Sequence, residues 1–299
     1  MSQPTRFGNV AIVGRPNVGK STLVNRLVGQ KVSITAPKPQ TTRHRITGIV
    51  TEERGQIVLI DTPGLHEGGR DALNRQLNRT ARSALEGVDL ILFMVQAGQF
   101  GAEDETVLRL LEHVGAPVVL VVNKVDLVND KTELLPFLAR MGEKHDFAEI
   151  YPMSARRRRG LDGLVDLMFS YLPEGPVGYD EDQVTTAPMR FMAAEIIREK
   201  LARSLHDELP YQTTVMIERF EEGDRLVNIG AVIYVARSGQ KGIVIGNRGS
   251  RLKVVGQQAR EAIEHLLEKR VMLDLWVKVA DDWADDERSV ASLGYQLPE

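Results

Sequence analysis

Gly14-Arg15-Pro16-Asn17-Val18-Gly19-Lys20-Ser21 lies between the apolar run Val10-Ala11-Ile12-Val13 and a helix-like stretch from Thr22 to Leu27. Strand, glycine-rich turn and helix start stand in the order that polyphosphate binding requires. Backbone N–H groups and the positive helix end surround the phosphates, Lys20 adds charge, and the Ser21 hydroxyl can ligate Mg2+. A glycine-rich turn with an incidental lysine would carry the same letters, so the reading depends on what else the chain supplies.

Two further apolar runs end in polar loops. Asp61-Thr62-Pro63-Gly64 directly follows Gln56-Ile57-Val58-Leu59-Ile60, which puts a carboxylate at the C-terminal end of a buried strand, where open α/β sheets bind ligands. Asp61 can hold Mg2+ through water. The Gly64 N–H is suited to meet a γ-phosphate and to lose it on hydrolysis, which would make the following segment a switch. Asn123-Lys124-Val125-Asp126 follows Pro117-Val118-Val119-Leu120-Val121-Val122. A carboxylate there accepts from the N1–H and the exocyclic amine of guanine, a donor pair that adenine lacks, so Asp126 selects the base. Asn123 would tie this loop to the phosphate loop, and the Lys124 stem would cover the ring. Met153-Ser154-Ala155 completes the set, its order and spacing fitting a backbone N–H donor to the guanine oxygen.

GRPNVGKS, DTPG, NKVD and MSA together resemble the translation-factor class of P-loop GTPases. Gln40-Thr41-Thr42-Arg43-His44 resembles the first switch of the Era subfamily; in that pattern Thr42 reaches Mg2+ in the GTP state, with Thr41 the runner-up. The metal set implied is Ser21, Thr42 and Asp61. On this resemblance Lys20, Thr42, Gly64 and Asn17 carry catalysis. Ras-like GTPases orient the attacking water with a Gln where this chain has Leu65, so slow intrinsic hydrolysis is expected. Relatives with that substitution often use an Asn of the phosphate loop to hold K+, and Asn17 matches. His44 and His66 lie in the switch segments and are expected to face solvent rather than to act as bases.

The remaining composition excludes more than it identifies. In 299 residues, 38 Lys plus Arg face 41 Asp plus Glu, so any polyanion site must rest on local patches. Cysteine is absent, which excludes disulfides, thiolate catalysis and Cys-ligated metals. The first six residues lack an apolar leader core and the apolar runs are strand-length, so a cytoplasmic protein is expected.

From residue 7 to 172 strands alternate with helical patterns, the signature of a doubly wound, mostly parallel sheet. Leu90 to Val95 is its central strand, Ile46 to Thr51 an antiparallel edge, Asp71 to Leu85 and Gly163 to Leu172 helices. Residues 173–188, rich in Pro, Gly and acid, read as a linker. The second domain, 189–299, opens with a helix over Arg190 to Leu209 carrying the stripe Phe191, Ala194, Ile197, Leu201 and Leu205. Strands follow at Tyr211 to Phe220, Leu226 to Ala236 and Val271 to Val279. Between the last two lies Gly246-Asn247-Arg248-Gly249, with a helix from Ser250 to Lys269 behind it.

A GXXG turn lets two helix N-termini approach a nucleic-acid backbone, because glycine removes the Cβ atoms that would block a phosphate. Arg237, Lys241, Arg248, Arg251 and Lys253 give that stretch a local positive charge without an acidic residue. Ile243, Ile245 and Leu252 could floor a groove for unstacked bases, with a core role equally expected of Ile243 and Leu252. RNA contact is assigned to Lys241, Ile245, Gly246, Asn247, Arg248, Gly249, Arg251 and Lys253. The element order resembles a smaller α+β type II KH domain.

A P-loop GTPase domain joined to a KH domain resembles the Era family of bacterial ribosome-assembly GTPases, and FMAAEIIREKL, ELPY, VIGNRGSRLK and LWVKVADDWADDERSVASLGY resemble that family's own C-terminal pattern. The resemblance implies GTP hydrolysis with Mg2+, K+ as a further cofactor, and binding of single-stranded RNA near the 3′ end of small-subunit ribosomal RNA in 30S maturation. It also implies peripheral inner-membrane association; a monomer is expected. The rival readings are an RNA-binding adaptor whose nucleotide locks geometry, and a GTPase of tRNA modification or membrane signalling. Arg156-Arg157-Arg158-Arg159 departs from the family's less charged loop and is expected to be solvated, with ribosomal RNA contact the alternative. Asp281-Asp282 and Asp285-Asp286-Glu287 are read as a solubilising acidic end.

Overall fold

The computed structural model describes residues 4–38, 40–65, 71–205 and 209–295. Its contacts divide the chain into two units, the first running to Thr186 apart from residues 36–41 and the segment up to residue 76, the second holding those two pieces and residues from 187 onward.

The first unit is built on β1 (Arg6–Val13), α1 (Lys20–Val28), β2 (Ile46–Glu52), β3 (Gly55–Asp61), α2 (Ala72–Ser83), β4 (Leu90–Gln96), α3 (Ala102–Leu111), β5 (Val118–Asn123), α4 (Leu134–Gly142), β6 (Glu149–Pro152) and α5 (Leu161–Tyr171), α2 beginning in a piece of the second unit. The strand order is β2-β3-β1-β4-β5-β6. All pairs are parallel except β2 with β3, which form a hairpin from Ile46↔Asp61 to Glu52↔Gly55. β3 and β5 are buried along their whole length, as strands covered on both faces must be, which is why they read as continuous apolar runs. One layer of core joins α1 and α5 to the sheet through Leu23, Val24, Leu164 and Met168. The other joins α2 to α4 through Ala81, Val107, Leu111 and Phe137.

The segment read from its composition as a linker is tied to the first unit by hydrogen bonds at several points, although most of its residues are exposed. The Gln56 side chain accepts from the N–H groups of Gly178 (3.1 Å) and Tyr179 (3.0 Å) and donates to the Tyr179 carbonyl (2.8 Å). Ile49 N donates to Val184 O (2.9 Å), and Thr185 Oγ1 donates to Thr47 O (2.6 Å). Residues 173–185 thus run against the unit as a strap, and its end, Val184 and Thr185, pairs with the free edge of β2 at Thr47 to Ile49.

The second unit holds α6 (Met189–Ser204), β7 (Thr213–Glu222), β8 (Leu226–Val235), α7 (Ser238–Ile245), α8 (Ser250–Leu267), β9 (Arg270–Val279) and α9 (Glu287–Ser292). β7 pairs antiparallel with β8, and β8 parallel with β9. Ile197, Leu201, Ile229, Ile233, Ala259 and Ile263 build its core.

α6 departs from the expected stripe: Phe191 and Ala194 are half-buried, whereas Met192, Ala193 and Ile196 are enclosed along with Ile197 and Leu201. The helix is covered on most sides, and its charges survive there by pairing. Arg198, 3 % exposed, meets Glu195 at 2.6 Å and also donates to the Thr41 carbonyl in a piece belonging to the same unit. Glu199 takes Lys200 and Arg203, each at 3.2 Å.

The C-terminal segment is anchored. Trp283 is fully buried, stacks on Tyr295 with ring centroids 5.8 Å apart and donates from Nε1 to Gln212 O (3.1 Å). Tyr295 shares a 2.8 Å hydrogen bond with Thr214 Oγ1. Asp286 caps α9 by accepting from Ser289 N (2.7 Å), and that bond holds its carboxyl below the ordinary range. Among the described residues no helix is long and apolar enough to cross a membrane.

Candidate nucleotide site and RNA loop

Gly14 to Ser21 connect β1 to α1. Gly19 stands at φ +111°, and a Cβ there would lie 2.4 Å from Asn123 Nδ2, so both backbone and space demand glycine. α1 begins without a side-chain cap and without acid in its first turn, so the backbone N–H groups of Lys20, Ser21 and Thr22 are available to an anion. Lys20 is buried, its Nζ donating to Gly14 O (2.9 Å) and Arg15 O (3.1 Å). Burial pushes its ammonium down to about 8; Asp61 opposes that shift and Arg15 adds to it. The Arg15 side chain is turned away to meet Asp104 on α3 at 3.1 Å and Gln99 ahead of that helix at 3.3 Å, so what it gives the phosphate loop is backbone.

Gly64 packs on the same loop: a Cβ on it would fall 2.9 Å from Pro16 N. Val18, Thr62, Pro63 and Leu65 are buried, with Thr62 Oγ1 donating to Ile12 O (2.8 Å). Leu65 is a core residue, packed in the layer that holds Val13 and Ile91. His44 is half-buried rather than facing solvent, and His66 lies outside the described residues.

Ser21 Oγ and Thr42 Oγ1 are 2.8 Å apart. Asp61 is fully buried at the end of β3; its Oδ2 accepts from Ser33 Oγ (2.7 Å), while Oδ1 has no hydrogen-bond partner among the described residues. Burial pushes this carboxyl up, and the Lys20 charge and the hydroxyls of Ser21 and Ser33 pull it back. An orphaned buried carboxylate oxygen together with two hydroxyls is a hard-oxygen donor set, and it fits Mg2+. Ser33 was not legible in the sequence. It is held there by Asn25 on α1, whose amide donates to Ser33 O (2.7 Å) and accepts from Val32 N (2.8 Å) and Ser33 N (2.9 Å). No motif marks Asn25.

The base-reading loops are cross-tied as the spacing suggested. Asn123 Nδ2 donates to Val18 O (2.8 Å) and its Oδ1 accepts from Ala155 N (3.0 Å), so one buried amide joins the phosphate loop to the last loop of the set. Lys124, at φ +64°, donates to Asn17 O (2.7 Å) and Gln96 Oε1 (2.8 Å). Asn17 itself is exposed at φ +62°. Ser154 Oγ donates to Asp126 Oδ1 at 2.5 Å, which orients the carboxylate expected to read guanine.

In the second unit the GXXG turn joins α7 to α8. Gly246 (φ +77°), Arg248 (φ +49°) and Gly249 (φ +78°) all take positive φ, which two glycines permit and Arg248 tolerates. Lys241, Asn247, Arg248 and Lys253 are exposed; Arg251 is half-buried and donates to Ile243 O (2.6 Å). Ile243 is 48 % exposed and so is no core residue, whereas Ile245 and Leu252 are half-buried against the core.

Comparison with known proteins agrees with this geometry. Residues 9–124 match the family described as 50S ribosome-binding GTPase, and residues 208–284 match the KH domain family. GTPase Era of Xanthomonas axonopodis pv. citri (strain 306) is 52 % identical over 296 residues, 99 % of both chains. GTPase Era of Stenotrophomonas maltophilia (strain K279a) is 51 % identical over 293 residues, 98 % of both. A crystal structure of Era in complex with MgGDPNP and nucleotides 1506-1542 of 16S ribosomal RNA superposes with a TM-score of 0.95 at 40 % identity, over 98 % of this chain and all of that one. An Aquifex aeolicus Era variant bound to GDP.AlF4- gives 0.93 at 39 % identity, with the same coverage. With a match over the full chain, a P-loop GTPase unit and a KH unit in that order, the chain belongs to the Era family of GTPases.

Proposed function

We propose that this chain is a GTP-hydrolysing switch that binds single-stranded RNA near the 3′ end of small-subunit ribosomal RNA and serves 30S maturation. The observation that carries the nucleotide half is the Asn123 amide, which fastens the phosphate loop to the loop of Ser154 and Ala155 while Ser154 orients Asp126. The RNA half is supported by the positive-φ GXXG turn with its exposed cations, and by the relative whose structure holds a 16S ribosomal RNA segment.

In this reading the backbone from Gly14 to Thr22 cradles the phosphates. Lys20 exchanges its two carbonyl partners for phosphate oxygens and offsets the charge that develops as the bond to the leaving GDP breaks. Mg2+, when bound, would be held by Ser21, Thr42 and, through water, Asp61, and would neutralise the β- and γ-phosphate oxygens. The Gly64 N–H meets the γ-phosphate. Leu65 offers attacking water no hydrogen bond, so intrinsic turnover is slow; Asn17 would hold K+, which would supply charge where an arginine finger would otherwise act. Lys241, Gly246, Asn247, Arg248, Gly249, Arg251 and Lys253 grip the RNA backbone, and Ile245 lies under the bases. The protein works as a cytoplasmic monomer with peripheral contact to the inner membrane.

GTP turnover with and without a 16S 3′-terminal RNA fragment tests this reading. Multiple-turnover phosphate release, stimulated by K+ over Na+ and altered by the RNA, is expected. ATP used as readily as GTP, or no RNA effect and no RNA binding, would sink it. K+ stimulation that survives Asn17→Ala would remove the role given to Asn17.

A further inference from the structure

Arg156, Arg157, Arg158 and Arg159 are all exposed, and among the described residues no acidic side chain pairs with any of them. Two other cations of the first unit do find acids: Arg54 meets Glu52 and Asp166 at 2.7 Å each, and Lys144 meets Glu105 at 2.5 Å. A solvated charge run is commonly loose, and this one is fixed. Ser154 and Arg159 exchange two backbone hydrogen bonds of 3.1 Å, Arg157 N donates to Ser154 Oγ (3.2 Å), and Arg158 is held at φ +56°. Four like charges are therefore confined in a tight loop with a left-handed non-glycine residue in it, a conformation that costs free energy. The loop also leads straight into α5 through Gly160, the end of a helix where cations are unfavourable; Asp162 in the first turn offsets part of that. Mutual repulsion and the helix end both oppose this arrangement in the chain by itself, and an anion relieves both.

We infer that this loop is a second RNA contact, in which two or more of the four guanidinium groups grip phosphodiester groups of the RNA backbone, separately from the GXXG turn. The inference rests on the RNA-binding reading above. Arginine suits the task because its planar fork matches phosphate oxygens and its charge does not titrate. RNA is the occupant favoured by this chain's own composition: it carries a KH unit whose GXXG stretch likewise presents exposed cations on a fixed turn. Through Ser154, the contact would lie two hydrogen bonds from Asp126.

The test is the salt dependence of binding to a 16S 3′-terminal RNA fragment, measured on the full chain for three proteins. They are the wild type, the variant Arg156→Ala/Arg157→Ala/Arg158→Gly/Arg159→Ala, and Gly249→Asp. Glycine at 158 keeps the left-handed backbone, and an unchanged melting temperature and GDP affinity verify the fold. Each phosphate contact on single strands adds about 0.7 to the slope of log K against log salt. The arginine variant should lower that slope by roughly 1.5 to 3 and weaken binding about tenfold or more at low salt; replacing the four by lysine should keep most of both. A slope equal to the wild type in the arginine variant, with binding lost in Gly249→Asp, overturns this inference alone. A wild type that binds no RNA overturns it together with the RNA reading. Loss of binding to phosphatidylglycerol vesicles in the arginine variant, with an unchanged RNA slope, assigns the loop to a membrane surface and likewise overturns it.

Discussion

Ser21 on the first turn of α1 and Thr42 ahead of β2 face each other hydroxyl to hydroxyl at 2.8 Å, so the phosphate loop and the first switch meet through one polar contact. If both hydroxyls ligate Mg2+, their removal should act differently on the two nucleotides. Ser21→Ala should weaken GDP and GTP alike, by about tenfold to a hundredfold, the effect of losing one hydrogen bond to a charged group. Thr42→Ala should weaken the GTP analogue and leave GDP nearly unchanged. Titration calorimetry with excess Mg2+ and with chelator decides it; equal losses for both nucleotides in Thr42→Ala would remove that threonine from the metal set.

Asp126→Asn alters base choice in a way the hydrogen bonds dictate. The amide still accepts from N1–H but offers a donor where guanine presents its amine, so GTP affinity should fall by at least a hundredfold. Xanthosine triphosphate, with a carbonyl at that position, should become the preferred ligand. Competition binding among GTP, xanthosine triphosphate and ATP reads this out directly.

Asp104 gives a stability signature. It is 1 % exposed, accepts from Gly101 N (3.0 Å) and Arg15, and its Oδ1 has no partner among the described residues. Burial pushes its carboxyl above the ordinary 3.8, against the opposing pull of the Gly101 N–H and Arg15. A folded-state value above the unfolded one means that the fold prefers the protonated acid. Its contribution is then most favourable below about 3.8 and is lost as pH rises through the raised folded value. Asp104→Asn keeps both acceptor contacts and removes the titration, so the melting temperature of the variant relative to wild type should climb as pH rises above the ordinary carboxyl value of 3.8. A pH-independent difference would contradict this.

Arg198 and Glu195 test the interior of the KH unit. Arg198→Met leaves Glu195 buried without its bidentate partner and should destabilise this unit by about 3 to 5 kcal/mol. The double variant Arg198→Met/Glu195→Leu should recover much of that in chemical denaturation.

The strands and the nucleotide loops were legible because their chemistry is local. A run such as Ile57 to Ile60 declares a buried strand, and the loop at its end must then lie at the sheet's ligand-binding edge. Contacts that neither a motif nor a periodicity marks were not legible. Asn25 reads as any polar helical position until Ser33 folds back on it, and Glu195 and Arg198 broke the expected stripe because a buried ion pair has no periodicity. Gln56 looked like the first residue of a strand, and nothing in its surroundings announces three hydrogen bonds to residues 178 and 179.

The pairing of Val184 and Thr185 with β2 decides how an isolated GTPase fragment has to be made. A chain stopped at Leu172 would take Val184 and Thr185 off the outermost strand and leave the Ile49 N–H and the Thr47 carbonyl open to pairing with another molecule, a route to precipitation. A chain continued through Thr186 should stay in solution where the shorter one does not.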